Sequence, residues 1–263
     1  MDKPAYVKDG DYLGDDGLWR CGICHKPKEL RISKLRTAFH VMCDCEKAES
    51  EQRKAQEARR AHMDTVAELR RKGMPDSALS RRTFANSDAS PALDKCQRYV
   101  ERWDDMRAEG MGLLLYGETG TGKTHAAACI ANALIDREIP VTMTSFPRIL
   151  QARADEMNSL LTNLLRSGLV VIDDLGAERQ TEYGLEKVYF FVDELYKAKK
   201  PVIVTTNLRV SEDMAQASDV AHKRIYERVL EMCMPVSFNG ENLRITAARE
   251  RVRQFNQMLK QED

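Results

Sequence analysis

Residues 117–124 read Gly-Glu-Thr-Gly-Thr-Gly-Lys-Thr, set between the apolar run 112–116 and the alanine-rich stretch 125–134. A strand that turns into a helix through GxxxxGK[ST] is the setting of a phosphate-binding loop. Gly117, Gly120 and Gly122 let the backbone bend and bring its N–H groups against phosphates. Glu118, Thr119 and Thr121 complete the loop. The new helix adds its positive N-terminal end. Lys123 can reach the β- and γ-phosphates, and the Thr124 hydroxyl can ligate Mg²⁺. The pattern predicts a bound ATP or GTP.

Other residues extend this chemistry. The run Leu169-Val-Val-Ile-Asp-Asp-Leu175 is a buried-strand pattern ending in two acids, and α/β proteins bind ligands at the C-terminal ends of their strands. Asp173 is expected to hold Mg²⁺ through water and Asp174 to polarise the attacking water. In-line phosphoryl transfer needs a positioned nucleophile and charge neutralisation more than covalent help. The run Pro201-Val-Ile-Val-Thr-Thr-Asn-Leu208 ends in polar residues at the same edge. There Asn207 could touch the attacking water or the γ-phosphate. Arg224 and Arg228 are spaced i, i+4 on one helix face. They could be surface residues paired with Glu227 or Glu231, or trans-acting fingers for a neighbouring subunit's site; spacing leaves both open. Arg244 is a candidate for reading the γ-phosphate in cis.

Four of the seven cysteines form a second constellation, Cys21-x₂-Cys24 and Cys43-x-Cys45. Two close pairs across such a loop suit a tetrahedral Zn²⁺ site, with His25 or His40 able to replace a cysteine. The metal would fold a segment too small to fold unaided. The loop between the pairs mixes Lys26, Lys28, Arg31, Lys34 and Arg36 with Leu30, Ile32, Leu35 and Phe39, a surface for nucleic acid or a protein partner. Cys96, Cys129 and Cys233 read as core thiols.

The elements that must position these groups follow from periodicity. Strands are expected at 112–116, 140–145, 168–173 and 202–206, with a last pair near 234–238 and 242–246. Helices are expected at 92–108, 123–137, 146–166, 182–199 and 220–232, followed by a polar C-terminal helix. Strand–helix alternation argues for a parallel sheet covered on both faces. Residues 46–72 hold eight basic and six acidic residues and no Gly or Pro, which predicts a solvated helix joining two modules. Three zones result: a zinc-binding module at 1–45, a helical linker at 46–79 and a nucleotide-binding domain at 80–263. Lys+Arg and Asp+Glu are both 41, so any nucleic-acid surface must be local. No apolar run approaches the roughly 20 residues that span a bilayer, and the first residues lack a signal-peptide core. A cytoplasmic setting without membrane contact is expected, where thiols stay reduced.

Leu-Leu-Leu-Tyr-Gly-Glu-Thr-Gly-Thr-Gly-Lys-Thr (113–124), Val-Ile-Asp-Asp-Leu-Gly-Ala-Glu (171–178), Lys-Pro-Val-Ile-Val-Thr-Thr-Asn-Leu (200–208) and Arg-Ile-Tyr-Glu-Arg (224–228) together resemble the DnaC/DnaI/IstB group of AAA+ ATPases. The segment Arg-Arg-Thr-Phe-Ala-Asn (81–86) is similar too. Within the group, a cysteine-bearing N-terminal module followed by a helix resembles the replicative helicase loaders, bacterial or phage-encoded. The resemblance implies an AAA+ core with a five-stranded parallel sheet and ATP as the nucleotide. It implies a module that grips the hexameric replicative helicase, binding of single-stranded DNA, and self-association through the AAA+ domain. ATP hydrolysis would time loader release. Asn207 would be sensor 1, Arg228 the arginine finger with Arg224 nearby, and Arg244 the sensor-2-like arginine. Family members often carry Arg where this chain has Leu195, so no role is carried over to that position. Segments 144–148 and 179–183 are candidates for DNA contact, with Phe146 or Tyr183 available for base stacking. The alternative within the group is an IstB-type transposition helper ATPase, which binds duplex DNA with a transposase.

Overall fold

The computed structural model describes residues 3–32, 38–74, 76–176, 182–214, 219–240 and 242–259. The chain forms two compact units, Met1–Asp64 and Thr65–Asp263. In the first, two short antiparallel ribbons, β1 (Tyr12–Leu13) with β2 (Trp19–Arg20) and β3 (Glu29–Arg31) with β4 (Ala38–His40), precede the helix α1 (Asp44–Gly73), whose residues from Thr65 onward belong to the second unit. The solvated helix predicted at 46–72 is thus present. It begins two residues earlier, where the Cys43 N–H donates to Glu46 Oε2 (3.1 Å), closing the first turn as half of a capping box.

The second unit adds, in order, α2 (Pro91–Glu101), α3 (Trp103–Glu109), β5 (Gly112–Tyr116), α4 (Lys123–Ile135), β6 (Val141–Ser145), α5 (Phe146–Gln151), α6 (Ala154–Arg166), β7 (Leu169–Leu175), α7 (Glu182–Lys197), β8 (Val202–Thr206), α8 (Val220–Met232), β9 (Cys233–Ser237) and α9 (Leu243–Leu259). The five strands β5 to β9 form one wholly parallel sheet in the order β6-β7-β8-β5-β9. Period-two alternation sorts its side chains onto two faces. Leu113, Leu115, Leu169, Val171 and Ile203 join the core under α4, with Trp103 and Tyr99 from α2 and α3. Leu114, Val170, Ile172, Val202 and Val204 join the opposite core with Phe146, Phe191 and Ile225. Burial on both faces explains why these strands read as unbroken apolar runs. β5 lies between β8 and β9 while the chain leaves it for the far edge at β6, so the order reverses at β5 and a crevice opens at its C-terminal end.

Three expectations are corrected. The 146–166 helix is two helices, because Ala152 is extended and its carbonyl accepts Lys187 Nζ at 2.9 Å, ending α5. α6 restarts where Arg153 N donates to Glu156 Oε2. The 92–108 helix likewise breaks at Arg102. Segment 242–246 is no strand: the Asn242 side chain accepts from the N–H groups of Arg244 and Ile245 and starts α9. The fifth strand is β9, which pairs with β5 instead of with a hairpin partner.

Asn132 ties the outer layers to α4. Its amide donates to Leu79 O, Arg82 O and Ala128 O (2.8–3.0 Å) and its Oδ1 accepts from Arg70 Nε (3.1 Å). The side chain is buried, so Asn132→Ala removes the hydrogen bonds that join α4 to Arg70, Leu79 and Arg82. Urea unfolding of this variant should show a loss of roughly 1–3 kcal/mol.

Candidate nucleotide and metal sites

The 117–124 loop joins β5 to α4 at the switch point. Gly117 (φ +142), Gly120 (φ +86) and Gly122 (φ +97) have backbone conformations that side chains resist. A Cβ on Gly120 would also lie 2.1 Å from Asn242 Oδ1, and one on Gly117 2.2 Å from Phe238 O. The loop is therefore clamped from outside by the segment that follows β9, and Leu243 N donates to Gly120 O (2.9 Å). Lys123 Nζ donates to the carbonyls of Gly117 and Glu118 (2.8 and 2.7 Å). Burial lowers its pKa.

Asp173 is the meeting point. Thr124 Oγ1 donates to its carboxylate (2.9 Å), as does Thr205 Oγ1 from β8. Burial raises the Asp173 pKa, and the charge of Asp174 adds to that, while the hydroxyl of Thr205 and then that of Thr124 oppose it. Asp174 comes next in the chain yet is exposed, because the β7–β8 register slips between Ile172 and Leu175. The bulge gives Asp174 a left-handed backbone (φ +60) and aims its N–H at Thr205 Oγ1 (3.0 Å). Two adjacent acids thus have two environments. Thr205, which the sequence reading passed over, holds both. The available signal was its place one residue before the Thr206-Asn207 strand end, on the strand beside the acids.

Asn207 is exposed just past the end of β8. Arg244 lies in the first turn of α9, close enough for its charge to lower Lys123 further. Arg224 and Arg228 are not brought to the loop by contacts among the described residues. Arg224 stacks on the Tyr189 ring (4.2 Å) and Arg228 on Tyr196 (4.3 Å), with Arg228 paired to Asp193 Oδ1 (3.4 Å) and Glu231 Oε2 (2.8 Å). Leu195 is a buried core residue. Phe146, the first residue of α5, is fully buried, which removes it from base stacking, whereas Tyr183 is 64% exposed. The remainder of the 179–183 loop, apart from Glu182, lies outside the described residues.

In the first unit, the sulfurs of Cys21, Cys24, Cys43 and Cys45 all lie within 4.8 Å of one another. A tetrahedral Zn²⁺ with bonds of about 2.3 Å spaces its sulfurs about 3.8 Å apart, so the cluster fits after slight contraction. The Lys26 N–H bonded to Cys24 draws that thiol down to about 6. Burial pushes Cys43 up to about 11, and the hydrogen bond that Cys45 donates to Cys24 pushes Cys45 up to about 12. A cation would be needed to ionise all four. His25 and His40 turn elsewhere: His25 Nδ1 meets Tyr12 OH (3.1 Å), and His40 stacks on Tyr6 and faces Glu46. Beside the cluster lies a feature with no sequence signal. Lys28 is 1% exposed, bonded to Asp11 Oδ2 (2.6 Å), Glu46 Oε1 (2.8 Å) and Tyr6 O (2.6 Å). Burial opposes its charge, but those two acids keep its pKa raised, and Asp11 falls to about 2.

The sequence profile of the family described as IstB-like ATP binding protein matches residues 29–251. The chain belongs to that family. It is 29% identical over 161 residues to the replicative helicase loader DnaC of Escherichia coli (strain K12), a match spanning 58% of this chain and 63% of that protein. Phage-like element PBSX protein XkdC of Bacillus subtilis (strain 168) is 27% identical over 237 residues, 86% of this chain and 83% of its own. A crystal structure of DnaI superposes with a TM-score of 0.54 at 24% identity, covering 64% of this chain and 93% of that one. The fold of the second unit is accordingly that of the AAA+ ATPases. Among the described residues, no helix is long and apolar enough to cross a membrane.

Thr205→Val removes a hydrogen bond to a charged group at Asp173, and Mg²⁺-dependent ATP binding should weaken about tenfold. Calorimetry with and without Mg²⁺ checks this, because Mg²⁺-free binding should change little. Metal analysis of the purified protein should find about one zinc per chain, lost in Cys21→Ser/Cys43→Ser.

Proposed function

We propose that this chain is an ATP-driven loader of a replicative helicase. The observation that carries the ATPase half is the joining of Thr124, Asp173 and Thr205 at the mouth of a glycine loop, with Asp174 exposed beside them. In this reading the amides of residues 117–124 and Lys123 hold the ATP phosphates. Thr124 and Asp173 hold Mg²⁺, Asp174 orients the attacking water, Asn207 senses it, and Arg244 reads the γ-phosphate. Mg²⁺, when bound, neutralises charge developing on the phosphates. Hydrolysis requires assembly, because Arg228 must exchange Asp193 and Glu231 of its own chain for a neighbour's nucleotide, with Arg224 held alongside by Tyr189.

The loading half is supported by the relatives named as replicative helicase loaders, DnaC and the DnaI of Bacillus subtilis (strain 168), of which the matches span 63% and 48% respectively. Residues 1–45, folded by zinc, would grip the hexameric helicase. Leu13, Ile23, Leu30 and Phe39 are exposed in that segment and supply apolar surface. Residues 46–79 would act as linker and 80–263 as the ATPase domain, which meets single-stranded DNA and times release. The IstB-type transposition reading shares the ATP site. A relative described as a putative insertion sequence ATP-binding protein of Sinorhizobium fredii, 28% identical over 156 residues, supports that second reading.

Arg228→Ala should leave ATP affinity unchanged while lowering DNA-stimulated hydrolysis by ~10³ or more, as loss of an arginine finger does. Lys123→Ala should lose ATP binding itself. Unchanged turnover in Arg228→Ala would remove it as the finger. Affinity capture of the replicative helicase by the full chain, abolished in Cys21→Ser/Cys43→Ser, tests the loading half. Capture of a transposase in its place favours the alternative.

A further inference from the structure

β6 is an edge strand whose partner in the sheet is β7 alone. Pro140 O accepts from Gly168 N (2.7 Å) and so points toward β7. Alternation along the strand then turns the peptide groups of Val141 and Met143 toward the open side. The end of α1 closes one end of this edge: a Cβ on Gly73 would lie 1.9 Å from Val141 O. Beyond that contact a cavity of about 440 Å³ runs along the strand, between the last turn of α1 and α6.

The lining is one-sided in charge. Among the described residues, Lys72, Arg148 and Arg166 border it and no acid does. Lys72 has an exposed pairing with Glu68 on its own helix, while no described carboxylate pairs with Arg148 or Arg166. Thr144 contributes a hydroxyl that is buried and lacks a hydrogen-bond partner. A buried orphan hydroxyl costs stability unless a ligand satisfies it.

We infer that this groove binds an extended acidic peptide, which adds as a strand to the β6 edge. Backbone groups near Met143 would form the ladder, Thr144 would find its partner, and carboxylates would meet Lys72, Arg148 and Arg166. Natural edges of this kind are usually blocked by charge of their own or by a covering element; here the cover stops at Val141. A peptide strand suits the groove better than a nucleic acid, because none of its described lining residues is aromatic and able to stack on bases.

The test uses the full chain and three fluorescent probes: a peptide alternating valine and glutamate, its valine–lysine counterpart, and oligo(dT). The glutamate peptide should bind, the lysine peptide should not, and binding should slow hydrogen exchange at the Met143 amide. Lys72→Glu/Arg166→Glu changes only exposed side chains and should weaken binding about tenfold or more, with ATP binding confirming that the variant folds. Thr144→Val should raise the thermal midpoint of the free protein yet weaken peptide binding. Equal binding of both peptides, or unchanged exchange at Met143, would overturn the proposal. So would oligo(dT) displacing the peptide and itself protecting Met143, which would make the groove a nucleic-acid track.

Discussion

The carboxylate of Asp173 is half-buried near the end of β7, in surroundings that penalise its charge. Two hydroxyls answer that penalty, and each comes from a different element: Thr124 from the first turn of α4 and Thr205 from β8. For all three to meet, β5, β7 and β8 must stop at matching heights, and the phosphate loop must leave β5 over that point. The strand order β7-β8-β5 satisfies this. Three consecutive parallel strands present their C-terminal ends side by side. The bulge after Ile172 follows from the same requirement. It keeps Asp173 in contact with Thr205 while turning Asp174 out to solvent. One acid is thereby suited to hold a cation and the other to contact water, although they are neighbours in the chain.

The first unit solves a different problem. Among its described residues, Met1–Asp64 has almost no apolar core; Leu13, Ile23, Leu30 and Phe39 all face solvent. Order comes from polar groups withdrawn from water, Lys28 between Asp11 and Glu46, and from four thiols gathered within 4.8 Å. Glu46 also accepts from the Cys43 N–H, so the ion cluster, the cysteine cluster and the start of α1 share one residue. A buried ion pair is costly to break, because the remaining charge is stranded. The ion cluster therefore specifies geometry in a segment where hydrophobic packing cannot.

In the role proposed for it, Arg228 would serve two states. In the single chain its guanidinium is occupied by Asp193, Glu231 and the Tyr196 ring, all on α7 and α8. These contacts are partly solvated and individually weak, so a stronger anion presented by another subunit could displace them. In the finger role proposed for it, Arg228 would stay oriented without being locked.

The local chemistry was legible from residue order alone. The glycine loop, the Asp173-Asp174 pair, the cysteine spacing and the alternation of strands with helices each depend on neighbours within a few positions, where bond geometry and side-chain period dictate the outcome. The breaks at Ala152 and Arg102, the helical start in place of a strand at 242–246, the burial of Phe146 and the importance of Thr205, Asn132 and Lys28 were not legible. Four of these are decided by a partner distant in sequence: Lys187 for Ala152, Asp173 for Thr205, Arg70 and Leu79 for Asn132, Asp11 and Glu46 for Lys28. Composition could name the groups able to bind phosphate and metal, because those abilities reside in single residues and short turns. Only the folded sheet could decide which hydroxyl supports which carboxylate, because that depends on the order of strands laid side by side, and strand order is a property of the whole chain's packing.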